Sequence, residues 1–391
     1  MTADCLSTDG LSPGSLTLGS VDAAQLRVAL IQDERTIDSF AWNALADAVV
    51  FRQHEWLAAW WNHFRRSNDE LFLLTVYDER RELIGLAPWY LARERWLGRV
   101  VRFLGSGRVC SEYLTVLAAP GTAPHVVRSL AQWLTGEGAA CWDLLDFDGV
   151  AQDDGLLGQL ADELSLAGHS TYRRVRERTW RLCLPASWDD LLAGLSKSRR
   201  GKIRAQERKF LASGRAQVKS AVDETTRRQG LEVLYRLHQA RRESLGDDGC
   251  FTMPRFERFL EDAAARLDRS GQLRLQWLEV DGQPAAVEFD LLGGDTLYYY
   301  QTGMNPELAE ISPGWLLQIA SLKRAISDGL AHFDFLRGDE EYKATWGAEP
   351  RPLAQVRVAS RRPLARLRQQ LWIAALEGKT RWQNRCGKKD C

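Results

Sequence analysis

His332-Phe333-Asp334-Phe335-Leu336-Arg337-Gly338-Asp339-Glu340-Glu341-Tyr342-Lys343-Ala344-Thr345-Trp346-Gly347 is the stretch on which the reading of this chain turns. Phe333 and Phe335 alternate with their neighbours as a strand requires, and the strand runs into a polar loop broken by Gly338. That loop delivers Tyr342, Lys343 and Trp346 together. Polar segments held in register by a rigid sheet are where functional groups concentrate. Upstream, residues 313–328 read as an apolar helix entered through a turn, with Ser312 as N-cap and Pro313 at the first helical position. Before it come predicted strands at 273–280, 285–292 and 296–302, helices at 223–243 and 253–268, and one long basic helix over 188–212. A last strand is expected near 355–359.

The preceding part of the chain carries a looser version of the same order. A strand near 26–30 leads to a helix over 51–64 and to strands at 71–77 and 82–91 around Asp78-Glu79-Arg80-Arg81. Strands at 100–104 and 113–117 flank Gly105-Ser106-Gly107, followed by a helix over 124–134, a strand over 142–147, a helix over 154–167 and a strand over 178–184. This alternation predicts a mixed α/β fold. We divide the chain into a loose tail (1–24), a first domain (25–185, ending at Pro185), a second domain (186–360) and a basic amphipathic C-terminal helix (361–391).

A length of 391 residues points to two domains of ordinary size. Lys+Arg and Asp+Glu both number 52, which argues against a protein built mainly to coat nucleic acid. The 15 tryptophans follow no fixed period, so neither a solenoid nor a propeller is expected. The 7 cysteines form no C-x-x-C pair and no histidines stand at metal-ligand spacing, so no metal and reduced, cytoplasmic thiols are expected. Residues 1–20 lack the basic start and apolar run of a signal peptide, and no 18-residue apolar stretch occurs. Neither G-x-S-x-G nor a Cys-His pairing is visible, so covalent catalysis lacks an identifiable nucleophile.

The order helix, helix, three meandering strands, helix, strand, with Phe-Asp-Phe-x-x-Gly-x-x-x-Tyr-Lys at 333–343 following Ser-Pro-Gly at 312–314, resembles the acyltransferases of the GNAT superfamily. Within it the chain is most similar to the BioF2-like and CelD/BcsL-like acetyltransferases, relatives of the Fem peptidyltransferases. The resemblance is strongest over 196–347 and thinner over 51–117. It implies an α/β (α+β) chain of two tandem GNAT-like acyltransferase domains with a C-terminal helix, and acetyl-CoA or another acyl-CoA as co-substrate. GNAT enzymes meet the acyl-CoA phosphates with backbone N–H groups at a helix start, where exposed amides and the positive end of the dipole favour an anion. That place is occupied here by Ser312, Gly314 and Trp315. One glycine and a proline stand where the superfamily has Q/R-x-x-G-x-G/A, and Ser-Pro-Gly is also an ordinary cap. In the Fem relatives an aromatic-Lys pair belongs to the substrate site, which implies that role for Tyr342 and Lys343.

The residues themselves offer further candidates. Glu288 and Asp290 lie two apart on one strand face, where they are either solvated or placed to take a proton from an attacking amine, with Glu288 the preferred base. Tyr298 and Tyr300 share one face and Tyr299 the other; they are core aromatics, or Tyr300 is a proton donor. Lys343 brings a charge suited to a phosphate or a developing oxyanion. Asp334, Gly338, Tyr342 and Trp346 are candidate substrate contacts, joined by Tyr113 (after Glu112) and Trp56 from the first domain. Arg200, Arg204 and Arg208 recur every four residues, forming a solvated helix face or an anion site.

The expected activity is acyl transfer to an amine or hydroxyl of a sugar, polysaccharide precursor or small molecule. Two alternatives stay open: an aminoacyl-tRNA donor, as in the Fem enzymes, and a non-catalytic GNAT-like module in polysaccharide synthesis. The expected location is cytoplasmic, with residues 363–383 either docked on the body or in contact with an anionic membrane surface.

Overall fold

The structure is a computed structural model that describes residues 26–386. The tail expected over 1–24 lies outside the described residues. Apolar periodicity builds the first half in the order β1 (Arg27–Ile31), α1 (Ser39–Leu45), α2 (His54–Phe64), β2 (Glu70–Tyr77), β3 (Leu83–Glu94), β4 (Gly98–Phe103), β5 (Leu117–Ala118), α3 (Ala123–Thr135), β6 (Leu144–Ala151), α4 (Gly155–Leu166) and β7 (Ser170–Cys183). Two short helices follow, α5 (Trp188–Gly194) and α6 (Lys197–Gln206). The second half then repeats the first: β8 (Ala216–Ser220), α7 (Glu224–Ser244), α8 (Pro254–Arg269), β9 (Leu273–Val280), β10 (Gln283–Gly293), β11 (Thr296–Met304), α9 (Pro313–Ser327), β12 (His332–Arg337), α10 (Glu341–Thr345) and β13 (Glu349–Ala359). The chain closes with α11 (Pro363–Cys386).

Local chemistry explains the clearest boundaries. The Asp223 carboxylate accepts from the Thr226 amide while the Thr226 hydroxyl accepts from the Asp223 amide, a capping box that starts α7. Pro254 opens α8, whose Phe256, Phe259, Leu260, Ala263 and Leu267 fall on one buried face. Two expectations differ from the structure. The long basic helix is broken: the Ser196 hydroxyl caps α6 through the Arg199 amide, so the chain restarts its turns there. The strand expected over 113–117 is mostly loop, because Tyr113 takes a left-handed φ of 61° and only Leu117–Ala118 pairs with β3.

All the strands form one sheet in the order β1-β2-β3-β4-β6-β13-β7-β12-β11-β10-β9-β8, with β5 beside β3. The two halves exchange their last strands. β13 sits between β6 and β7, and β7 in turn pairs with β12 of the second half. Two junctions are parallel and short. β4 meets β6 only at Val100↔Leu144 and Val101↔Leu145, and β11 meets β12 only from Thr296↔His332 to Tyr298↔Asp334. Beyond Tyr298 the ladder between β11 and β12 ends, and the gap lies beside the start of α9.

Packing between the halves is largely aromatic. Trp56 of α2 meets Phe259 of α8 edge-on at 5.0 Å and Tyr300 of β11 at 5.1 Å, while Phe51 meets Tyr298 at 5.3 Å. The Trp56 Nε1 donates to the Ser111 hydroxyl at 2.8 Å, so the buried indole is fully satisfied. Trp56, a site candidate from sequence, is therefore core of the interface between halves.

Candidate functional site

The opening beside β11 leads into a cavity of about 320 Å³. Glu288 of β10, Tyr299 of β11, Gly314, Trp315 and Gln318 of α9, and Tyr342 of α10 line it, with Arg241 of α7. A groove of about 780 Å³ adjoins it, lined by Ser198, Lys202 and Lys209 and by Ser312 at the head of α9. Trp315 and Tyr342 line both spaces, so cavity and groove meet along these two side chains.

Glu288 is buried at the inner end. Its Oε2 accepts from Gln276 Nε2 at 3.1 Å and from the Ser321 hydroxyl, while Oε1 has no hydrogen-bond partner among the described residues. Burial pushes its carboxyl up to about 7, against the pull of Ser321 and Gln276. Asp290, also buried, has neither oxygen hydrogen-bonded among the described residues, and burial together with the charge of Glu288 holds its carboxyl well above the usual range. Glu288 is thus poised to gain or lose a proton near pH 7. A shift of register between Phe289 and Asp290 marks a bulge at this point of the β10–β11 ladder, opposite Tyr300.

At the head of α9, Ser312 has φ 52° and ψ 58°, and its side chain makes no capping bond. Ser312 is the N-cap residue as expected, but in a left-handed conformation, and it caps through its carbonyl, which accepts from the Trp315 and Leu316 amides at 3.0 and 3.2 Å. Pro313 has no N–H. Gly314 therefore supplies the first-turn amide at the cleft wall, and a Cβ on it would meet nothing within 4 Å.

Several sequence candidates stand elsewhere. Tyr300 faces away from the cavity: its hydroxyl donates to the Val109 carbonyl at 2.7 Å and its ring packs against Trp56 and Phe51. Strand alternation brings Tyr299, not Tyr300, to the cleft. Trp346 is buried, stacked 4.6 Å from Trp315, and its Nε1 donates to Gln318 Oε1 at 2.5 Å. It supports the wall without reaching the cleft. Asp334 is buried and accepts from the Tyr113 hydroxyl at 2.6 Å, Arg181 Nε at 2.9 Å and the Leu336 amide at 2.9 Å. Asp334 and Tyr113 thus tie the halves together. Gly338, at φ 110°, makes the turn after β12, and a Cβ there would collide with the Glu340 carboxylate.

Lys343 is displaced from its expected role most clearly. It is buried, and Nζ donates to the carbonyls of Leu336, Arg337 and Gly338 at 3.3, 2.7 and 3.1 Å, with Glu340 at 2.9 Å. An ammonium has three protons, and this loop takes all of them. Lys343→Met should therefore act on stability, costing about 1–3 kcal/mol in denaturant unfolding through unsatisfied carbonyls. An unchanged unfolding midpoint would refute that placement.

The basic stripe is out of phase with its expectation. Arg200 donates to the Ala193 and Leu195 carbonyls at 3.1 and 2.6 Å, closing α5, and neither Arg200, Arg204 nor Arg208 lines the cleft. Ile203 and Phe210, both buried seven residues apart, fix the rotation of this segment. That rotation presents Ser198, Lys202 and Lys209 to the groove, a pattern hidden by counting arginines alone. Of the sequence candidates, the structure brings together Glu288, Ser312, Gly314, Trp315 and Tyr342. It adds Tyr299, Gln318, Lys202, Lys209 and Arg241, and no group of three or more His, Cys, Asp or Glu among the described residues is placed to hold a metal ion.

Two units, each running strand, helix, helix, three antiparallel strands, helix, strand, helix, strand, give the tandem GNAT-like fold expected from the sequence. Residues 197–344 match the family described as the acetyltransferase (GNAT) domain. Among solved structures, the chain is similar to FemX at 13% identity and a TM-score of 0.59, covering 80% of this chain and 95% of that one. It is also similar to a conserved protein of unknown function from Bacteroides thetaiotaomicron at 10% identity and a TM-score of 0.54, covering 85% and 100%. These likenesses concern the fold. No curated protein sequence matches the chain.

Proposed function

We propose that the protein is an acyltransferase of the BioF2-like kind, moving an acyl group from an acyl-CoA thioester directly to an amine or hydroxyl. The acceptor would be a sugar, a polysaccharide precursor or a small amine. One observation carries the reading: the cavity that holds a buried carboxyl, pushed up to about 7, shares Trp315 and Tyr342 with a lysine-lined groove at the head of α9. The donor's phosphates would lie against Lys202 and Lys209, and its acyl end would reach past Trp315 into the cavity. Glu288 would take the proton as the acceptor attacks the thioester carbonyl. The C–S bond would then break, and Tyr342, which lines both groove and cavity, would protonate the departing thiolate. Lysine side chains, more than backbone amides, would read the phosphates, because Pro313 and the bonded Trp315 and Leu316 amides leave few N–H groups free.

Calorimetry with acetyl-CoA and longer acyl-CoAs tests this. Micromolar binding is expected, abolished by Gly314→Asp and weakened at least about tenfold when Lys202 and Lys209 are both alanine. Absence of binding to every acyl-CoA would sink the thioester donor. The same dependence on lysines over amides favours a second donor, aminoacyl-tRNA, whose binding would fall steeply with salt.

A further inference from the structure

Over residues 363–378, α11 touches the body along one side only. Ala365 and Gln369 are buried there, and the Trp372 ring lies 3.9 Å from the Arg357 guanidinium. On its other side Leu364, Leu367 and Leu371 are 55%, 50% and 61% exposed, spaced three and four residues apart as one stripe. Trp96, 78% exposed in the turn between β3 and β4, extends this face. A Cβ on Gly98, two residues from Trp96, would stand 3.1 Å from Arg368 Nη1, so turn and helix adjoin. A row of large apolar side chains in water marks a contact surface.

The charge of the C-terminal sequence identifies what the stripe contacts. Residues 361–391 hold nine Lys and Arg against two Asp and Glu, in a chain whose formal net charge is zero. Arg362 is committed to Asp143 at 2.5 Å and Arg366 to the Gly168 carbonyl, whereas Arg361 and Arg368 form no ion pair among the described residues. A second copy seated face to face would bring two positive surfaces together. No helix among the described residues is long and apolar enough to cross a membrane. We propose that the outer stripe of α11, with the β3–β4 turn, lies on an anionic phospholipid bilayer. The leucines enter the boundary between headgroups and acyl chains, Trp96 sits at headgroup depth, and the arginines meet the phosphates.

Co-sedimentation of the full chain with vesicles tests this, comparing phosphatidylcholine alone with phosphatidylcholine carrying about one third phosphatidylglycerol. Binding to the anionic vesicles only is expected, lost at about 0.5 M salt. Leu367→Asp with Leu371→Asp should weaken it at least about tenfold without moving the thermal unfolding midpoint. Trp96→Ser, on a separate element, should weaken it in the same direction. Equal binding to both vesicle types, or none to either, overturns the proposal. So does a concentration-dependent dimer that Leu367→Asp dissolves while vesicles go unbound, since the stripe would then join copies of this chain.

Discussion

Glu288→Gln is expected to lower turnover by about 10²–10⁴-fold while donor affinity stays within a factor of two or so. Glutamine keeps the shape and can still accept from Ser321 and Gln276, but it cannot take a proton. The wild-type kcat/KM should rise with pH through about 7, as Glu288 loses its proton, and the variant should lack that limb. A second readout follows from linkage. The folded carboxyl titrates near 7 against an ordinary value of 4.5, so the folded state holds a proton that the unfolded chain has released. Its stabilising contribution is fully present below pH 4.5 and is lost as pH rises to about 7, amounting to on the order of 3 kcal/mol. Glu288→Gln should flatten that part of the stability profile. A variant that turns over normally, with the same pH dependence, would remove Glu288 from the chemistry.

Arg337→Met is expected to cost about 3–5 kcal/mol of stability, the largest loss we anticipate. Arg337, from the last position of β12, holds the fully buried Glu112 of the first half through Nε and at 3.2 Å through Nη2, and reaches Glu177 at 2.7 Å. Burial already pushes the Glu112 carboxyl up to about 7 against the pull of Arg337, so without the guanidinium it must take up a proton or stand as an uncompensated buried charge. Replacing both residues, as Arg337→Met with Glu112→Leu, should recover much of the loss, because an apolar pair carries no desolvation penalty. Denaturant unfolding of the two single variants and the double variant checks this. A cost under about 1 kcal/mol for Arg337→Met would show that the pair contributes little to joining the halves.

Features decided within a few residues were legible in the sequence. The strand expected over 273–280 coincides with β9, and the turn at Ser312-Pro313-Gly314 starts α9 as expected. Spacing on one strand placed Glu288 and Asp290 together. What escaped was decided by distant partners. Lys343 looked like a free charge because nothing local shows that three carbonyls converge on it. Tyr113 and Asp334 meet although 221 positions separate them. The phase of α6 depends on which apolar residues, Ile203 and Phe210, find the core, and on a restart at Ser196.

The exchanged strands bear on how this chain is made. β6 ends at Ala151, yet its neighbour β13 begins at Glu349. A ribosome adding about 5–20 residues per second leaves that edge unpaired for roughly 10–40 s. Through that interval the nascent first half presents bare N–H and C=O groups to every other growing chain nearby, so its yield depends on chaperone cover and translation speed. Cutting the gene between the halves would give two fragments, each missing a sheet neighbour carried by the other.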